Sequence, residues 1–269
     1  MKTIITSVLL SLMAVFASAA PEKALDPYWV DYDARSALQV DHSQWQAFLD
    51  EYLITDDLGQ TLFDYKKVNE DYSIKLSQYI NSLAAMDPRS LNRLEQKAYW
   101  INLYNALTVQ LILHNYPVKS ITKIGKKFFS FGPWDDPITV INGRQLTLNQ
   151  IEHNILRPIY NDPRMHYALN CASLGCPNLN RVAYTADNVD ELLEAGAFAF
   201  ISHERAVGFS GKKLVLSSIY DWYQVDFGGS EHAVVEHIKK YSNATLTTRL
   251  DSFNGKISYD YDWALNEVK

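Results

Sequence analysis

Apolar positions recur at helical spacing along the first half of this chain and in short alternating runs along much of the second. In "DHSQWQAFLDEYL", Trp45, Phe48, Leu49 and Leu53 share one face of a helix that Asp41 is placed to cap. "QTLFDY" follows as a candidate strand and "EDYSIKLSQYINSLAAM" as a second helix, stopped at Asp87-Pro88 because proline cannot continue a helix and pushes the residue before it to extended backbone. The third helix, within "SLNRLEQKAYWINLYNALTVQLILHNYP", is apolar on nearly every side from Ala98 to Leu113, which predicts a central position. Asn92 and Glu95 have capping-box spacing, and Pro117 ends the pattern. Asn102 and Asn105 share a face of this helix, and a buried amide must find partners. The pair either ties loops to the helix or lines a cleft.

In the second half, Asn142-Gly143 separates Ile138–Ile141 from Arg144–Leu148, a strong hairpin signal because a tight primed turn needs positive φ at both central residues. Thr147 or Asn149 can cap a short helix that runs through Arg157 and is closed by Pro158. "HYALN" reads as a buried strand leading into a cysteine-bearing loop. A helix over "DNVDELLEAGAFAFISHE", a hairpin over "AVGFSGKKLVLSS" turning at Ser210-Gly211, an aromatic segment "IYDWYQVDFGG", a helix over "SEHAVVEHIKKYS" and a last strand in "KISYDYDWAL" complete the order. Helices first and mixed elements afterwards predict an α+β fold: a central apolar helix packed on an antiparallel sheet with surrounding helices. No repeat, low-complexity segment or linker divides the chain. An N-terminal helical part, 20–93, is therefore expected to pack with an α+β core, 94–269, as one domain.

The first residues change the picture. Lys2, an apolar run from Ile4 to Phe16 and Ala17-Ser18-Ala19 have the layout of a secretory signal peptide cleaved after Ala19, so residues 1–19 are set apart from the fold. No later run of roughly 18 apolar residues predicts a membrane span, and the expected location is periplasmic or extracellular. With 25 Lys and Arg against 31 Asp and Glu, the net charge is −6, or −7 once Lys2 is removed. An acidic chain whose basic residues cluster only at "KIGKK", Lys123 to Lys127, is a poor candidate for nucleic acid or anionic lipid.

Chemistry concentrates in "HYALNCASLGCP", which holds both cysteines, Cys171 and Cys176, four residues apart. In an oxidising compartment the default is a disulfide, which here would close a very short loop and stabilise by about 2–3 kcal/mol at best. Zinc is a second reading, with His153 and His166 as further ligands, but the spacing matches no zinc pattern; no metal and no cofactor are expected. The third reading is a nucleophile: Cys171 with an imidazole to take its proton and a third group to orient that base. His153 is the better-placed base, because on a strand His166, five residues before Cys171, would point to the opposite face. Glu152 is the candidate orienting group, although neighbouring helical side chains diverge by about 100°, so that a bend or a helix start is needed. Arg157 lies one turn beyond His153 and favours its neutral form.

The runs "QKAYWINLYNALT", "LTLNQIEHNILR", "DPRMHYALNCASLGCPNL" and "YDWYQVDFG", in that order from Leu94 to Gly229, resemble the domain-of-unknown-function family numbered 547. The resemblance implies a shared site built from Asn102, Asn105, Glu152, His153, Arg157, Arg164, His166, Asn170, Cys171 and Cys176. A more distant resemblance is to papain-like and transglutaminase-like thiol enzymes, which carry the nucleophile near the start of a central helix. The helix from Glu95 to Tyr116 has no cysteine, so only a permuted order, His153 before Cys171, would restore that chemistry.

Two functions are thus expected. The first is a thiol hydrolase or acyl transferase in which Cys171 attacks a carbonyl, His153 accepts the proton, Glu152 orients it and loop amides hold the oxyanion. The alternative is a non-catalytic module with bridged cysteines, in which Trp222 and Tyr223, with Tyr220 and Trp134, line a groove for a peptide or glycan. Those aromatics read first as core, because large exposed rings are the exception. Disulfide exchange ranks behind both, since four intervening residues do not give the C-x-x-C arrangement.

Overall fold

The computed structural model describes residues 21–125 and 132–269. The signal-peptide expectation for residues 1–19 lies outside them, as do Lys126 and Lys127 of the basic run. Helix α1, Ser43–Tyr52, starts where Asp41 accepts the Ser43 N–H at 2.9 Å and buries Trp45, Phe48 and Leu49. It runs straight into strand β1, Leu53–Thr55, which pairs antiparallel with β2, Thr61–Phe63. Helix α2, Glu70–Ala84, is capped by Asn69. Helix α3, Arg93–Asn115, is buried continuously from Glu95 to Val109 and forms the centre of the larger hydrophobic cluster, as its all-round apolar pattern predicts. Asn92 caps it by accepting the Glu95 N–H, but the reciprocal bond is missing: the Glu95 carboxylate instead receives the Val40 and Ala186 N–H groups.

Strands β3, Thr139–Ile141, and β4, Arg144–Leu146, form the Asn-Gly hairpin, with φ of 48° at Asn142 and 73° at Gly143. The helical segment that follows is widened into a π-helix over Gln150–Leu156, continued by α4, Arg157–Tyr160, and closed by Asn161 in the left-handed region rather than by Pro158. The expected strand at "HYALN" is replaced by a 3-10 turn, Pro163–Tyr167. Asp162 accepts the Arg164 N–H and Pro163 sits in the first turn, and this helix-start chemistry prevails over the apolar run that follows.

Helix α5, Val189–Ile201, leads to β5, Val207–Ser210, and β6, Lys213–Ser217. Short α6, Ile219–Trp222, then α7, Glu231–Lys240, and α8, Ala244–Asp251, precede β7, Lys256–Asp260. Because three helices intervene, β7 re-enters the sheet parallel to β6, while the other pairings are antiparallel. The class is α+β as expected. The sequence pattern gives no notice of α8, whose only large apolar residues are Leu246 and Leu250.

Candidate active site

The site begins at the hairpin. Beyond β4, Thr147 Oγ1 accepts the Gln150 N–H while Gln150 Oε1 accepts the Thr147 N–H, a reciprocal capping box that fixes the start of the helical segment. In the π turn that follows, the Arg157 N–H reaches back five residues to the Glu152 carbonyl. This widened turn supplies the bend that neighbouring side chains need in order to converge: Glu152 Oε1 lies 3.9 Å from His153 Nδ1.

Around these two residues a buried ionic cluster assembles. Asp226 Oδ2 accepts from Arg157 Nε at 2.6 Å and from His166 Nε2 at 2.8 Å, and its other oxygen faces the Lys23 ammonium at 3.2 Å. Burial alone would raise the Asp226 pKa, but the bonds from His166 and Arg157 outweigh it and hold the carboxyl well below the ordinary carboxylate range. Arg157 Nη1 lies 2.9 Å from His153 Nδ1. A guanidinium can only donate, so Nδ1 is the acceptor and the neutral ring carries its proton on Nε2. Burial is the main reason that the His153 pKa is lowered; Glu152 opposes it and Arg157 adds to it. The Tyr223 ring stacks on His166 at 4.2 Å and lies under the Arg157 guanidinium at 4.8 Å, so Tyr223 is the floor of this cluster.

The cysteine loop approaches from the other side. Asn105, on α3, donates to the Ala168 carbonyl and accepts the Asn170 N–H, and Asn170 in turn donates to the Pro177 carbonyl and accepts the Ala172 N–H. Asn102 clasps the backbone of Tyr184 through both ends of its amide. All three amides are therefore consumed in tying loops to the core, and Asn105 and Asn170 locate Cys171. Ala172 is buried with φ of 58°, a strained value for a side chain with a Cβ, immediately after the cysteine.

Both cysteines are free, so the bridged pair expected as one alternative is absent; the sulfurs nevertheless lie 2.8 Å apart. Cys171 Sγ is also 3.1 Å from Ser173 Oγ and 3.0 Å from the Tyr261 hydroxyl. Burial pushes the Cys171 thiol up, but the bonds from Cys176, Ser173 and Tyr261 more than offset it, leaving the group below its ordinary value. Cys176, buried and next to the same sulfur, is pushed well above. Five of the loop amides are already engaged in this arrangement. The Cys171 N–H points to Cys176 Sγ, that of Ala172 to Asn170, that of Leu174 to Ala264, that of Gly175 to Asp262 and that of Cys176 to Ser173.

Glu152 is the hinge between the two halves. Its Oε2 accepts from Tyr104 at 3.0 Å, it lies 4.0 Å from His166 Nδ1, and its charge works against ionisation of Tyr223 and of Cys171. Among the described residues, no hydrogen bond joins His153 to Cys171. Arg164 lies apart, paired with Asp162, Asp190 and Glu194, whereas Trp222 packs at a tilt on Tyr261, which meets the Cys171 sulfur, and stacks on Trp263. Tyr220 is fully buried, and Trp134 packs on Trp263. Sequence reasoning missed Lys23, Tyr104, Ser173, Asp226 and Tyr261. Tyr104, Ser173 and Asp226 lie within the motifs quoted above, Asp226 as one of two acidic residues in "YDWYQVDFG".

A small cleft lined by Arg157, Asn161, Asp162, Pro163 and Asp226 opens beside the cluster. Among the described residues no three His, Cys, Asp or Glu side chains are grouped to hold a metal ion, and no helix is long and apolar enough to cross a membrane. No curated protein and no solved structure matches the chain. A family model does match over residues 88–201, which include Glu152, His153, Arg157, His166 and both cysteines: that of the family described as "Protein of unknown function, DUF547".

Proposed function

We propose that the chain is a cysteine-nucleophile enzyme, a hydrolase or acyl transferase, in which Cys171 attacks the carbonyl carbon of its substrate. The observation that carries this reading is the set of three hydrogen-bonding groups, Cys176 Sγ, Ser173 Oγ and the Tyr261 hydroxyl, gathered on Cys171 Sγ. They favour the thiolate without an ion pair to an imidazole. In the first half-reaction a C–S bond forms and the leaving group departs with a proton from one of these groups; in the second, water or an acceptor hydroxyl cleaves the thioester. The proton of that second nucleophile falls to Glu152, because Arg157 occupies the one acceptor nitrogen of His153. His153 then serves as a donor through Nε2–H, and Asp226 orients His166 beside it. Export belongs to the same proposal and rests on Lys2, the apolar run and Ala17-Ser18-Ala19; N-terminal sequencing of the exported chain would read a start at Ala20.

The test is the rate of alkylation by iodoacetamide against pH, with the modified residue found by mass. Expected is rapid, selective modification of Cys171 through a pKa below the free thiol's ~8.5. A Cys171 that stays inert, or reacts only above that value, removes the proposal. A second reading, dithiol–disulfide exchange, is favoured by the proximity of the two sulfurs. A small disulfide oxidant would take two hydrogens from the pair and be reduced to two thiols; a stable loss of 2 Da in intact mass, with reversal by reductant, would favour it.

A further inference from the structure

We infer that the groove filled by residues 21–26 is a peptide-binding cleft for an extended chain bearing a lysine side chain, and that the protein's own N-terminal segment occupies it as an intramolecular stand-in. The inference rests on the cysteine-nucleophile reading and gives its substrate class.

The segment is held as a ligand is held. Arg157 Nη1 donates to the Pro21 carbonyl at 3.0 Å; the Ala24 and Asp26 N–H groups donate to the carbonyls of His153 and Asn154; and the Asn154 amide donates to the Ala24 carbonyl. Lys23 reaches inward, 2.9 Å from Asn161 Oδ1 and 3.2 Å from Asp226 Oδ1. Every one of these partners lies on the π-helix, the turn after it, or Asp226. Arg157 and Asp226 are fixed by bonds to each other, to His153 and to His166 that do not involve the segment, so they would remain in place without it. The outer face of the segment is open: Pro21, Glu22, Ala24 and Leu25 are exposed, with Leu25 at 52%. Its hold therefore comes from hydrogen bonds and two ion pairs, Lys23 with Asp226 and Asp26 with Arg144, that a second peptide can reproduce, and not from buried apolar area.

Charge selects the side chain. Asp226 Oδ2 is saturated by Arg157 and His166, whereas Oδ1 has no hydrogen-bond donor from the folded body and is met by the Lys23 ammonium. The side chain of Asp226 is 8% exposed, so this is a buried carboxylate oxygen that requires a cation delivered from outside the body of the fold. A primary ammonium on a flexible stem fits the opening that Lys23 uses. The same Arg157 nitrogen that binds the Pro21 carbonyl also holds His153 Nδ1, so a peptide carbonyl bound there is one hydrogen bond from the catalytic cluster.

The tethered segment competes with external peptide at an effective concentration in the millimolar range. The experiment measures fluorescence anisotropy of a labelled acetyl-Pro-Glu-Lys-Ala-Leu-Asp amide with the full chain, with Lys23→Ala, and with Lys23→Ala combined with Ala24→Pro, which also removes the N–H bonded to His153. Each variant is first checked for native circular dichroism. Expected is weak binding to the unmodified chain, binding tighter by about tenfold or more in the variants, and loss of that gain when the peptide lysine is replaced by norleucine. Equal affinity for variants and parent, no binding to the folded variants, or indifference to norleucine would overturn the inference. Alkylation of Cys171 in the same samples keeps the two readings apart: a fast thiol without peptide binding defeats this inference alone, and an inert thiol with lysine-dependent binding defeats the catalytic reading alone.

Discussion

Asp226 is where Arg157, His166 and Lys23 converge, and Asp226→Asn removes the charge while keeping the shape. The side chains of Arg157 and His166 are each 3% exposed, so the substitution leaves a guanidinium with one fewer acceptor in a site that water barely reaches. Breaking a buried ion pair from one side costs about 3–5 kcal/mol. Here Arg157 keeps the Pro21 carbonyl, His153 Nδ1 and the face of Tyr223, and the asparagine oxygen can still accept one bond, which lowers the expectation to about 2–3 kcal/mol. For a chain of this size that corresponds to roughly 5–10 °C in Tm at pH 7.

The pH dependence tests the cause. Since the Asp226 carboxyl is held below the ordinary range in the folded state, the unfolded chain takes up its proton first as pH falls. The stabilisation is complete above the unfolded value of about 3.9 and is lost progressively below it. Protonation of the unfolded carboxyl alone removes about 1 kcal/mol by pH 3. The gap between parent and variant should therefore narrow between pH 5 and pH 3 in thermal melts followed by circular dichroism. Acid-sensitive groups away from Asp226 are common to both proteins and cancel in the difference. A gap below 1 °C at pH 7, or one that stays constant into acid, would refute the assignment of Asp226 as the charge that organises the cluster.

Cys176→Ala removes one of the three groups bonded to Cys171, and a hydrogen bond to a charged group is worth about 1.5–3 kcal/mol, so the alkylation pKa of Cys171 should rise by about 1–2 units; an unchanged profile would count against the thiol donor. His42 and His237 are both depressed to about 4, chiefly by burial, so stability present above the unfolded value near 6.5 should drain as pH falls towards 4. Urea midpoints should drop over that window by a combined loss of roughly 3–5 kcal/mol, and a flat response would contradict it. Asn105→Ala should cost about 2–4 kcal/mol, because it leaves the Asn170 N–H and the Ala168 carbonyl buried without partners, and should also slow Cys171 alkylation by displacing the loop; a destabilised variant with an unaltered thiol would show that Asn105 supports the fold alone.

What could be read from the chain and what could not differ in physical kind. Helical periodicity located α1, α2, α3, α5 and α7, and the demand for positive φ located the Asn142-Gly143 turn, because these are properties of neighbouring residues. The pairing of His153 with Arg157 followed from their spacing of four and is met at 2.9 Å. The direction of that bond was not legible. Spacing says that the two groups meet, but only the donor-only nature of guanidinium, applied to the observed Nδ1, shows that the imidazole is left without a free acceptor. His166 was set aside on strand alternation, although the readable signal was Asp162-Pro163, a helix start that turns the ring towards Asp226. Lys23 lies 138 residues from Asn161, Asp226 lies 69 from Arg157 and 60 from His166, and Tyr261 lies 90 from Cys171; no local rule reports such contacts. The site is therefore half local and half global: the π-helix and the cysteine loop carry its reactive atoms, whereas Asp226 and Lys23, which complete its charge network, and Tyr261, which meets the sulfur, come from elsewhere in the chain. It follows that the segment matched by the family model holds the sulfur and the imidazoles, but not the carboxylate that fixes one of them or the ammonium that faces it.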